Sequence, residues 1–276
     1  MSYKKILTIQ DISCVGQCSL TVALPILSAC GMETCILPSA ILSTHTAGFS
    51  GYTVRDLSDD MPAICDHWVK ENIKFDAIYT GYLGSTKQID YVKDIIERTT
   101  KSDAVTIIDP AMADNGKLYP AFDDEYVNAM KTLCSKADVL LPNITEACFL
   151  TDIQYKESYD SEYIEKLLIA LENMGVKTIV LTGVSYTETK TGVIIRENGK
   201  TAYYEHEKIA KGSHGTGDIY ASAFTGALLN GKSVYDSAKI AADYTVECIL
   251  ATQGDPDHWY GVKFEAVIDR LINKLQ

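Results

Sequence analysis

The sequence predicts an α/β fold with a mostly parallel central sheet covered by helices on both faces. Short apolar segments of strand type alternate with helical segments along most of the chain, which is the pattern of strand–helix–strand units. The strands are continuous apolar runs, as at residues 104–108, and such runs are typical of strands buried on both faces. No repeat, low-complexity tract or Pro/Ser-rich linker divides the chain, so we expect a single domain over residues 1–276.

The first half of the chain supplies four predicted strands and four predicted helices. The strands are expected at residues 5–9, 34–42, 75–79 and 104–108, and the helices at residues 19–30, 60–72, 88–99 and 124–135. Gly31 follows the first helix and is a common residue after a helix end. Residues 10–13 are predicted as a polar turn and residues 43–52 as a polar loop.

The second half continues the alternation and adds a hairpin. Strands are expected at residues 137–141 and 177–181, with a short helix after Asn143 and a longer helix at residues 161–174. Two further strands, 192–196 and 201–206, flank a Gly-containing turn, which predicts a small peripheral hairpin. Three helical segments end the chain, and the apolar residues of the last one recur at helical spacing.

Composition excludes several classes of protein. The formal net charge of −12 argues against nucleic-acid binding, which needs a basic surface. No apolar run approaches the ~18 residues of a membrane span, and the N-terminal residues do not resemble a targeting segment, so we expect a cytoplasmic protein without a membrane partner. The eight cysteines show no zinc-type spacing, and in the cytosol they are expected to be reduced core residues.

A glycine-rich stretch at residues 211–218 is the feature most suggestive of chemistry. It contains three glycines, ends on Asp218 and opens a helix. Glycines let the backbone approach a ligand closely, and a helix N-terminus attracts anions. The stretch therefore fits a phosphate or oxyanion cradle beside an acid/base group. It equally fits a tight turn capped by Thr216 or Asp218.

Polar side chains follow the predicted strands, where ligands bind in open α/β sheets. They are Asp11, Thr46, Tyr82, Asp109, Asn143, Glu146, Thr182 and Asp218. Carboxylates outnumber cations among them, which suits Mg²⁺ held by one or two carboxylates plus substrate phosphates. Asp109, Asp114 and Glu146 are the candidate metal ligands. The same residues fit ordinary local structure, since Asp109-Pro110 can end a strand and Asn143 can cap a helix.

Six motifs together resemble a known family. Residues 212–218, which end in Gly-Thr-Gly-Asp, resemble the signature of the ribokinase-like kinases. Five other motifs resemble the vitamin B6 kinase branch of that superfamily and follow its order: Thr8-Ile9-Gln10, Ser43-Thr44-His45-Thr46, Thr80-Gly81-Tyr82-Leu83-Gly84-Ser85, Asp109-Pro110-Ala111-Met112-Ala113-Asp114 and Pro142-Asn143-x-x-Glu146. The resemblance implies the ribokinase-like α/β fold.

The resemblance also implies an activity, which is ATP-dependent phosphorylation of the 5′-hydroxyl of pyridoxal, pyridoxine or pyridoxamine. Asp218 would be the general base that takes the proton from that hydroxyl. Gly215, Thr216 and Gly217 would supply backbone N–H groups to the transferring phosphoryl group, because this reaction depends mainly on positioning and electrostatic stabilisation.

Binding roles follow from the same resemblance. Asp109, Asn143 and Glu146 would organise Mg²⁺ and the ATP phosphates, and Asp114 would lie near a monovalent cation such as K⁺. Thr182 would lie along the nucleotide together with Gly215 and Gly217, while Asp11, Thr46 and Tyr82 would line the pocket for the pyridine ring. The family also implies a homodimer.

One position departs from the family's pattern. The N-terminal motif commonly continues as Gln-Ser-His, whereas this chain has Gln10-Asp11-Ile12. A carboxylate there could pair with a protonated ring nitrogen or with the ammonium group of pyridoxamine, which leads to the hypothesis that pyridoxamine is preferred. The alternative is that Asp11 only caps the first helix or turns away.

Other functions remain to be weighed. A hydroxymethylpyrimidine kinase of thiamine synthesis shares the fold and the Gly-Thr-Gly-Asp chemistry, although the motifs at residues 43–46 and 81–85 favour the B6 branch. A non-catalytic vitamer- or nucleotide-binding protein on this fold would have no need of Asp218. A nicotinamide-dependent oxidoreductase and a P-loop nucleotide triphosphatase are excluded, because neither glycine spacing is present.

Overall fold

The computed structural model describes residues 3–209 and 214–276. Its strands are β1 (Lys5–Ser13), β2 (Glu33–Leu42), β3 (Val54–Asp56), β4 (Phe75–Thr80), β5 (Thr100–Ile108), β6 (Ala113–Asp114), β7 (Lys117–Leu118), β8 (Val139–Leu140), β9 (Thr178–Val184), β10 (Lys190–Glu197) and β11 (Lys200–Glu207). Its helices are α1 (Leu20–Ala29), α2 (Met61–Lys70), α3 (Thr86–Thr99), α4 (Asp124–Cys134), α5 (Ile144–Thr151), α6 (Ser161–Asn173), α7 (Thr216–Leu229), α8 (Val234–Thr252) and α9 (Ile268–Leu275), with a short 3₁₀ turn at Glu265–Val267.

The central sheet confirms the predicted fold class. Within the described residues its strand order is β11-β10-β9-β8-β5-β4-β1-β2-β3. The pairs from β2 through β1, β4, β5 and β8 to β9 are parallel. Antiparallel strands extend both edges, β3 beside β2 and the predicted hairpin β10–β11 beside β9. Because β1 lies between β2 and β4, the strand order reverses at β1, and the carboxyl end of β1 is the expected place for a ligand.

Helices cover both faces of the sheet, as predicted. One apolar core contains side chains of α2 to α6 with Leu7, Ile9 and Ile78 of the sheet. The other contains side chains of α1, α7, α8 and α9 with Ile6 and Tyr79. Neighbouring residues of one strand thus point into opposite cores, which follows from the two-residue period of a strand.

Side-chain caps account for the starts of several helices. Helices α3, α4, α5, α6 and α8 each follow a Ser, Asp or Asn whose side chain accepts a backbone N–H from the first turn. Such caps satisfy donors that have no partner inside the helix. The bounds of α3, α4 and α6 lie within about two residues of the predicted 88–99, 124–135 and 161–174.

The largest correction to the predicted elements concerns residues 10–13. They were expected to form a turn, but they continue β1 and pair with β2 as far as Ser13 opposite Leu42, with a register irregularity between Gln10 and Ile12. Pairing with a long neighbouring strand outweighs their polarity. The sequence also did not predict β3 or the two-stranded sheet β6–β7. Strand β9 continues beyond Thr182 to Val184.

Within the described parts of the chain, no helix is both long enough and apolar enough to span a bilayer.

Candidate active site

The predicted site residues converge because the carboxyl ends of neighbouring strands are joined by backbone hydrogen bonds. The N–H of Gly81 donates to the carbonyl of Ile9 at 3.2 Å, which brings the end of β4 beside β1. The N–H of Asp109 donates to Thr80 at 3.0 Å and brings β5 beside β4. Beyond β8, the N–H of Thr182 donates to the carbonyl of Pro142 at 2.9 Å. The polar residues after β1, β4, β5 and β8 therefore share one edge of the sheet.

Asp218 lies in the first turn of α7, beside the end of β1. The backbone N–H of Ser19 lies near its carboxylate and favours the charged form. Burial raises the pKa of Asp218 to about 7, and the nearby Asp11 carboxyl adds to this increase, whereas the Ser19 N–H opposes it. A carboxylate with a pKa near neutrality is suited to act as a general base.

The turn before α7 requires a glycine at position 215. Gly215 is the N-cap residue and has a φ of 77°, in the left-handed region that other residues rarely adopt. A Cβ atom at this position would lie 1.8 Å from the carbonyl oxygen of Gln17. Neither Thr216 nor Asp218 is therefore the N-cap, and the simple capped-turn interpretation is wrong. Lys211, Gly212 and Ser213, the start of the predicted cradle, lie outside the described residues.

Two more carboxyl groups, Asp109 and Glu146, lie at the ends of β5 and β8. Burial raises the pKa of Asp109 well above its usual range, and the charges of Glu146 and Asp218 add to the effect. Burial also raises the pKa of Glu146 to about 7, although backbone hydrogen bonds oppose it. Groups that raise one another's pKa in this way lie close together. A bound cation would relieve their repulsion.

Glu146 is held in a fixed orientation by the backbone around it. Its two carboxylate oxygens accept the N–H groups of Met112 at 3.0 Å and Asn143 at 2.9 Å. The side chain of Asn143 accepts the Glu146 N–H at 2.9 Å, which completes a capping box at the start of α5. The helix-cap interpretation of Asn143 is thus confirmed, and the same cap orients Glu146.

Asp114 lies on the small β6–β7 hairpin and is exposed. Its carboxylate accepts the backbone N–H and the side-chain amide of the neighbouring Asn115, at 2.8 and 2.9 Å. The side-chain amide of Asn143 donates to Ala113 at 2.8 Å and ties the hairpin to α5. The negative charge of Asp114 contributes to the raised pKa of Glu146, so the two carboxyl groups interact electrostatically.

The carboxyl groups do not form a ready-made metal cage. Among residues 3–209 and 214–276, no group of three or more His, Cys, Asp or Glu side chains is placed to hold a metal ion. Mg²⁺ commonly binds through one or two carboxylates plus substrate phosphates and water. The pair of Asp109 and Glu146 fits that mode, since its carboxylate oxygens are hard donors and the charge of Glu146 adds to the raised pKa of Asp109.

Asp11 lies near the end of β1, and Tyr82 follows the end of β4, which is hydrogen bonded to β1. Asp11 is only 5% exposed, and its carboxylate accepts a hydrogen bond from the Ser13 hydroxyl at 3.2 Å. Burial raises the pKa of Asp11, whereas hydrogen bonds from Ser19 and Ser13 lower it. Burial and the charge of Asp11 raise the pKa of Tyr82 to about 12.

Thr46 and Thr182 have no described contact with the carboxyl groups of the site. Thr46 is exposed in the loop after β2. Its neighbour His45 is buried and bonds through Nε2 to the carbonyl of Tyr260 at 2.7 Å. Thr182 is half-buried within β9, opposite Asn143, and therefore reaches the carboxyl-end edge although its strand continues beyond it.

Two tyrosines at the site were missed from the sequence. Tyr79 is fully buried, and the charges of Asp109 and Asp218 add to the burial that raises its pKa. Burial raises the pKa of Tyr119, and the charges of the nearby Glu146 and Asp109 carboxyl groups add to the increase. A tyrosine in the otherwise apolar strand at residues 75–79 was the available signal for Tyr79. Nothing local to Tyr119 marked it.

Comparisons with known proteins agree with this geometry. The sequence model of the family described as phosphomethylpyrimidine kinase matches residues 24–261. A candidate phosphomethylpyrimidine kinase from Bacteroides thetaiotaomicron, solved in a crystal form with pyridoxal, is 38% identical, with 98% of this chain and 96% of that chain covered and a TM-score of 0.92.

Two proteins named as pyridoxal kinases are also similar. The structure from Lactobacillus plantarum is 32% identical, with 99% and 98% of the two chains covered and a TM-score of 0.91. The protein from Dictyostelium discoideum is 27% identical over 240 residues, which is 80% of this chain and 77% of that protein. The family match spans most of the chain, and the ribokinase-like fold is confirmed: the chain belongs to the phosphomethylpyrimidine kinase family.

Proposed function

We propose that this protein is an ATP-dependent kinase that phosphorylates the 5′-hydroxyl of a vitamin B6 vitamer. The observation that carries the proposal is the position of Asp218. It lies in the first turn of α7; the charge of Asp11 adds to its raised pKa, and its own charge adds to the raised pKa of Asp109. A base between a pocket for an uncharged or cationic acceptor and a site for a metal–phosphate complex is what phosphoryl transfer requires.

In the proposed reaction, Asp218 accepts the proton of the substrate hydroxyl as its oxygen attacks the γ-phosphorus of ATP. The bond between that phosphorus and the β–γ bridging oxygen breaks, and ADP leaves. Backbone N–H groups of Gly215, Thr216 and Gly217, at the N-terminus of α7, stabilise the charge on the transferring group. The close packing of Gly215 on Gln17 keeps that turn in place.

Asp109 and Glu146 would hold Mg²⁺ directly or through water, and the metal would neutralise phosphate charge. Asn143 and Thr182, which are neighbours across β8 and β9, would lie along the ATP phosphates. Asp114 would lie near a monovalent cation such as K⁺. Since the protein's net charge is −12, the cations provide the local attraction that an anionic nucleotide needs.

Replacement of Glu146 by Ala tests the metal assignment. We expect the Mg²⁺ concentration for half-maximal activity to rise about 10–100-fold, the usual effect of losing a residue that supports a metal. The capping box would also be lost, so the melting temperature should fall. A titration of activity with Mg²⁺ measures the first effect. Glu125→Ala, at an exposed first-turn position of α4, is the matched control, and an unchanged Mg²⁺ titration in Glu146→Ala removes Glu146 from the metal site.

Asp11 supports a preference for pyridoxamine among the vitamers. Its carboxyl group is buried and its charge acts on Tyr82, whereas the N-cap of α1 is Ser19. A buried carboxylate forms its strongest hydrogen bonds with a cation. Asp11→Ser should therefore lower kcat/KM for pyridoxamine more than for pyridoxal, by about tenfold if one charge-assisted hydrogen bond of ~1.5 kcal/mol is lost. An unchanged ratio of the two kcat/KM values rules the preference out.

The second candidate function is hydroxymethylpyrimidine or phosphomethylpyrimidine kinase activity, which the name of the family favours. A binding protein without activity is the third candidate. ADP release from MgATP, measured with pyridoxamine, pyridoxal, pyridoxine and hydroxymethylpyrimidine in parallel, distinguishes them. We expect release with the B6 vitamers. Release with hydroxymethylpyrimidine alone supports the second candidate, and binding without release supports the third.

We also propose that the protein is a cytoplasmic homodimer of one-domain subunits. The resemblance to the vitamin B6 kinases supports the dimer. Sedimentation equilibrium of the purified protein, with an expected mass of twice 30.3 kDa, tests the dimer.

A further inference from the structure

The loop between β1 and α1, residues 14–18, touches both parts of the proposed catalytic machinery. The carbonyl of Gln17 packs directly against the Cα of Gly215, as shown by the 1.8 Å that would separate it from a Cβ there. Immediately after the loop, the backbone N–H of Ser19 lies near enough to the Asp218 carboxylate to favour its charged form. A shift of this loop would therefore move the turn that holds the phosphoryl group and the donor that orients the base.

The end of the loop has an unfavourable backbone conformation. Ser19 has φ 53° and ψ −131°, a combination that residues with a Cβ rarely adopt. Such a conformation is strained and persists only where the surroundings hold it. The Thr21 hydroxyl donates its one proton in a bifurcated hydrogen bond to the carbonyls of Cys18 at 2.7 Å and Gly16 at 3.1 Å, and so holds the loop from the side of α1.

The side chain of Gln17 holds the loop from the opposite end of the sequence. Its amide nitrogen donates to both carboxylate oxygens of Glu265, at 3.0 and 2.9 Å. Its amide oxygen accepts from Nε2 of His258 at 2.8 Å, which fixes the proton of that imidazole on Nε2. The backbone at Gly261 packs on the same side chain, since a Cβ there would lie 2.8 Å from the Cβ of Gln17.

The C-terminal segment, residues 258–265, also contacts the loop after β2. The ring of Trp259 lies 4.6 Å from the ring of Phe49, centroid to centroid. The carbonyl of Tyr260 accepts a hydrogen bond from Nε2 of His45 at 2.7 Å; the Nδ1 atom of His45 accepts the N–H of Ala47. One segment from the end of the chain therefore braces the two loops that flank the Asp11 side of the site.

We propose that Gln17 is a positioning residue for phosphoryl transfer: held by Glu265 and His258, it keeps the 14–18 loop seated on Gly215 and the Ser19 N–H directed at Asp218. Gln17 itself contacts no substrate in this account. The expected change in kcat rests on the proposed function. The expected change in the position of the C-terminal segment rests only on its contacts with Gln17.

A reciprocal pair of substitutions tests the proposal. Gln17→Glu places a carboxylate against that of Glu265 and removes the amide donor. When Gln17→Glu is combined with Glu265→Gln, the amide at position 265 donates to the carboxylate at position 17, so the pair is restored in the opposite direction. An oxygen at position 17 also remains to accept the hydrogen bond from His258. We expect Gln17→Glu to lower kcat about tenfold, since displacement of a reacting group by 1 Å can cost up to ~10²-fold, with KM for ATP changed less than twofold. The double variant should recover kcat to within about twofold of the unmodified protein.

Gln154→Glu, an exposed position with the same change of charge, is the matched control and should behave as the unmodified protein. Fluorescence of Trp259 gives the structural readout, measured in a Trp68→Phe background because the chain has 2 tryptophans. Gln17→Glu should shift the Trp259 emission to longer wavelength, and the double variant should reverse the shift.

The proposal is overturned if Gln17→Glu keeps kcat within twofold of the unmodified protein, or if the double variant remains as slow as Gln17→Glu. Melting temperatures of all variants separate loss of kcat from loss of fold. If Gln17→Glu does not fold, Glu265→Ala, which removes the acceptor of the Gln17 amide, serves instead, and a normal kcat in that variant contradicts the proposal. If the unmodified protein releases no ADP with any vitamer, the proposed function fails, while the fluorescence result still decides whether Gln17 holds the C-terminal segment.

Discussion

Replacement of Asp218 by Asn is expected to lower kcat by about 10²–10⁴-fold, which is the usual contribution of a general base. The amide cannot take the proton of the attacking hydroxyl, but it retains the size of the carboxylate and an oxygen that can accept the Ser19 N–H. The affinity for ATP should change little. Steady-state kinetics together with calorimetric ATP binding measure the two quantities separately.

The pH dependence of the unmodified protein gives a second test of the same residue. Because burial raises the pKa of Asp218 to about 7, kcat/KM should rise with pH and level off above pH 7, as the carboxyl group loses its proton. The sign for stability is opposite. Between pH 4 and pH 7 the unfolded chain releases a proton that the folded protein retains, so this group's contribution to stability falls as pH rises.

Asp218→Asn should therefore melt at or above the temperature of the unmodified protein at pH 8, while being far less active. A variant with near-normal kcat contradicts the assignment of the base. A variant that is inactive because its melting temperature falls also contradicts the assignment. The neutral amide removes a buried charge rather than a structural contact, so the melting temperature should not fall.

Gly215→Ala is expected to lower kcat by more than about 10²-fold, because a displacement of about 1 Å in the catalytic turn has an effect of this size. The added Cβ would lie 1.8 Å from the carbonyl oxygen of Gln17, so the turn or the 14–18 loop must move. The measurement is kcat for ADP release alongside the melting temperature.

Gly231→Ala is the matched control for that substitution. Gly231 follows the other end of α7 and has a φ of 86°, close to the 77° of Gly215, but a Cβ there would meet no atom within 4 Å. This control isolates the cost of the backbone conformation, about 1 kcal/mol, from the collision. Equal losses of kcat in the two variants would mean that contact with Gln17 is not needed for catalysis.

Much of the fold could be predicted because its signals are local. Alternation of apolar strands and amphipathic helices indicated the covered parallel sheet, and Asn143 was recognisable as a helix cap. The order of polar residues at strand ends indicated the edge where Asp11, Asp109 and Asp218 meet. Each of these signals depends on a few neighbouring residues.

The errors and omissions arise from contacts between distant residues. Residues 10–13 read as a turn because they are polar, but pairing with β2 makes them strand. The role of Glu146 as both capping partner and buried acid depends on Met112, 34 positions away. Gln17 and Glu265 are 248 positions apart, and no local pattern connects them. The raised pKa values of Asp218 and Glu146 likewise follow from packing that spacing does not reveal.

The most direct test of the account is identification of the product by mass spectrometry and ³¹P NMR after incubation with MgATP and pyridoxamine. The account predicts a phosphate monoester on the 5′-hydroxymethyl group, formed together with an equal amount of ADP, and almost none with Asp218→Asn. Absence of that ester with every B6 vitamer, while hydroxymethylpyrimidine is phosphorylated, would contradict it.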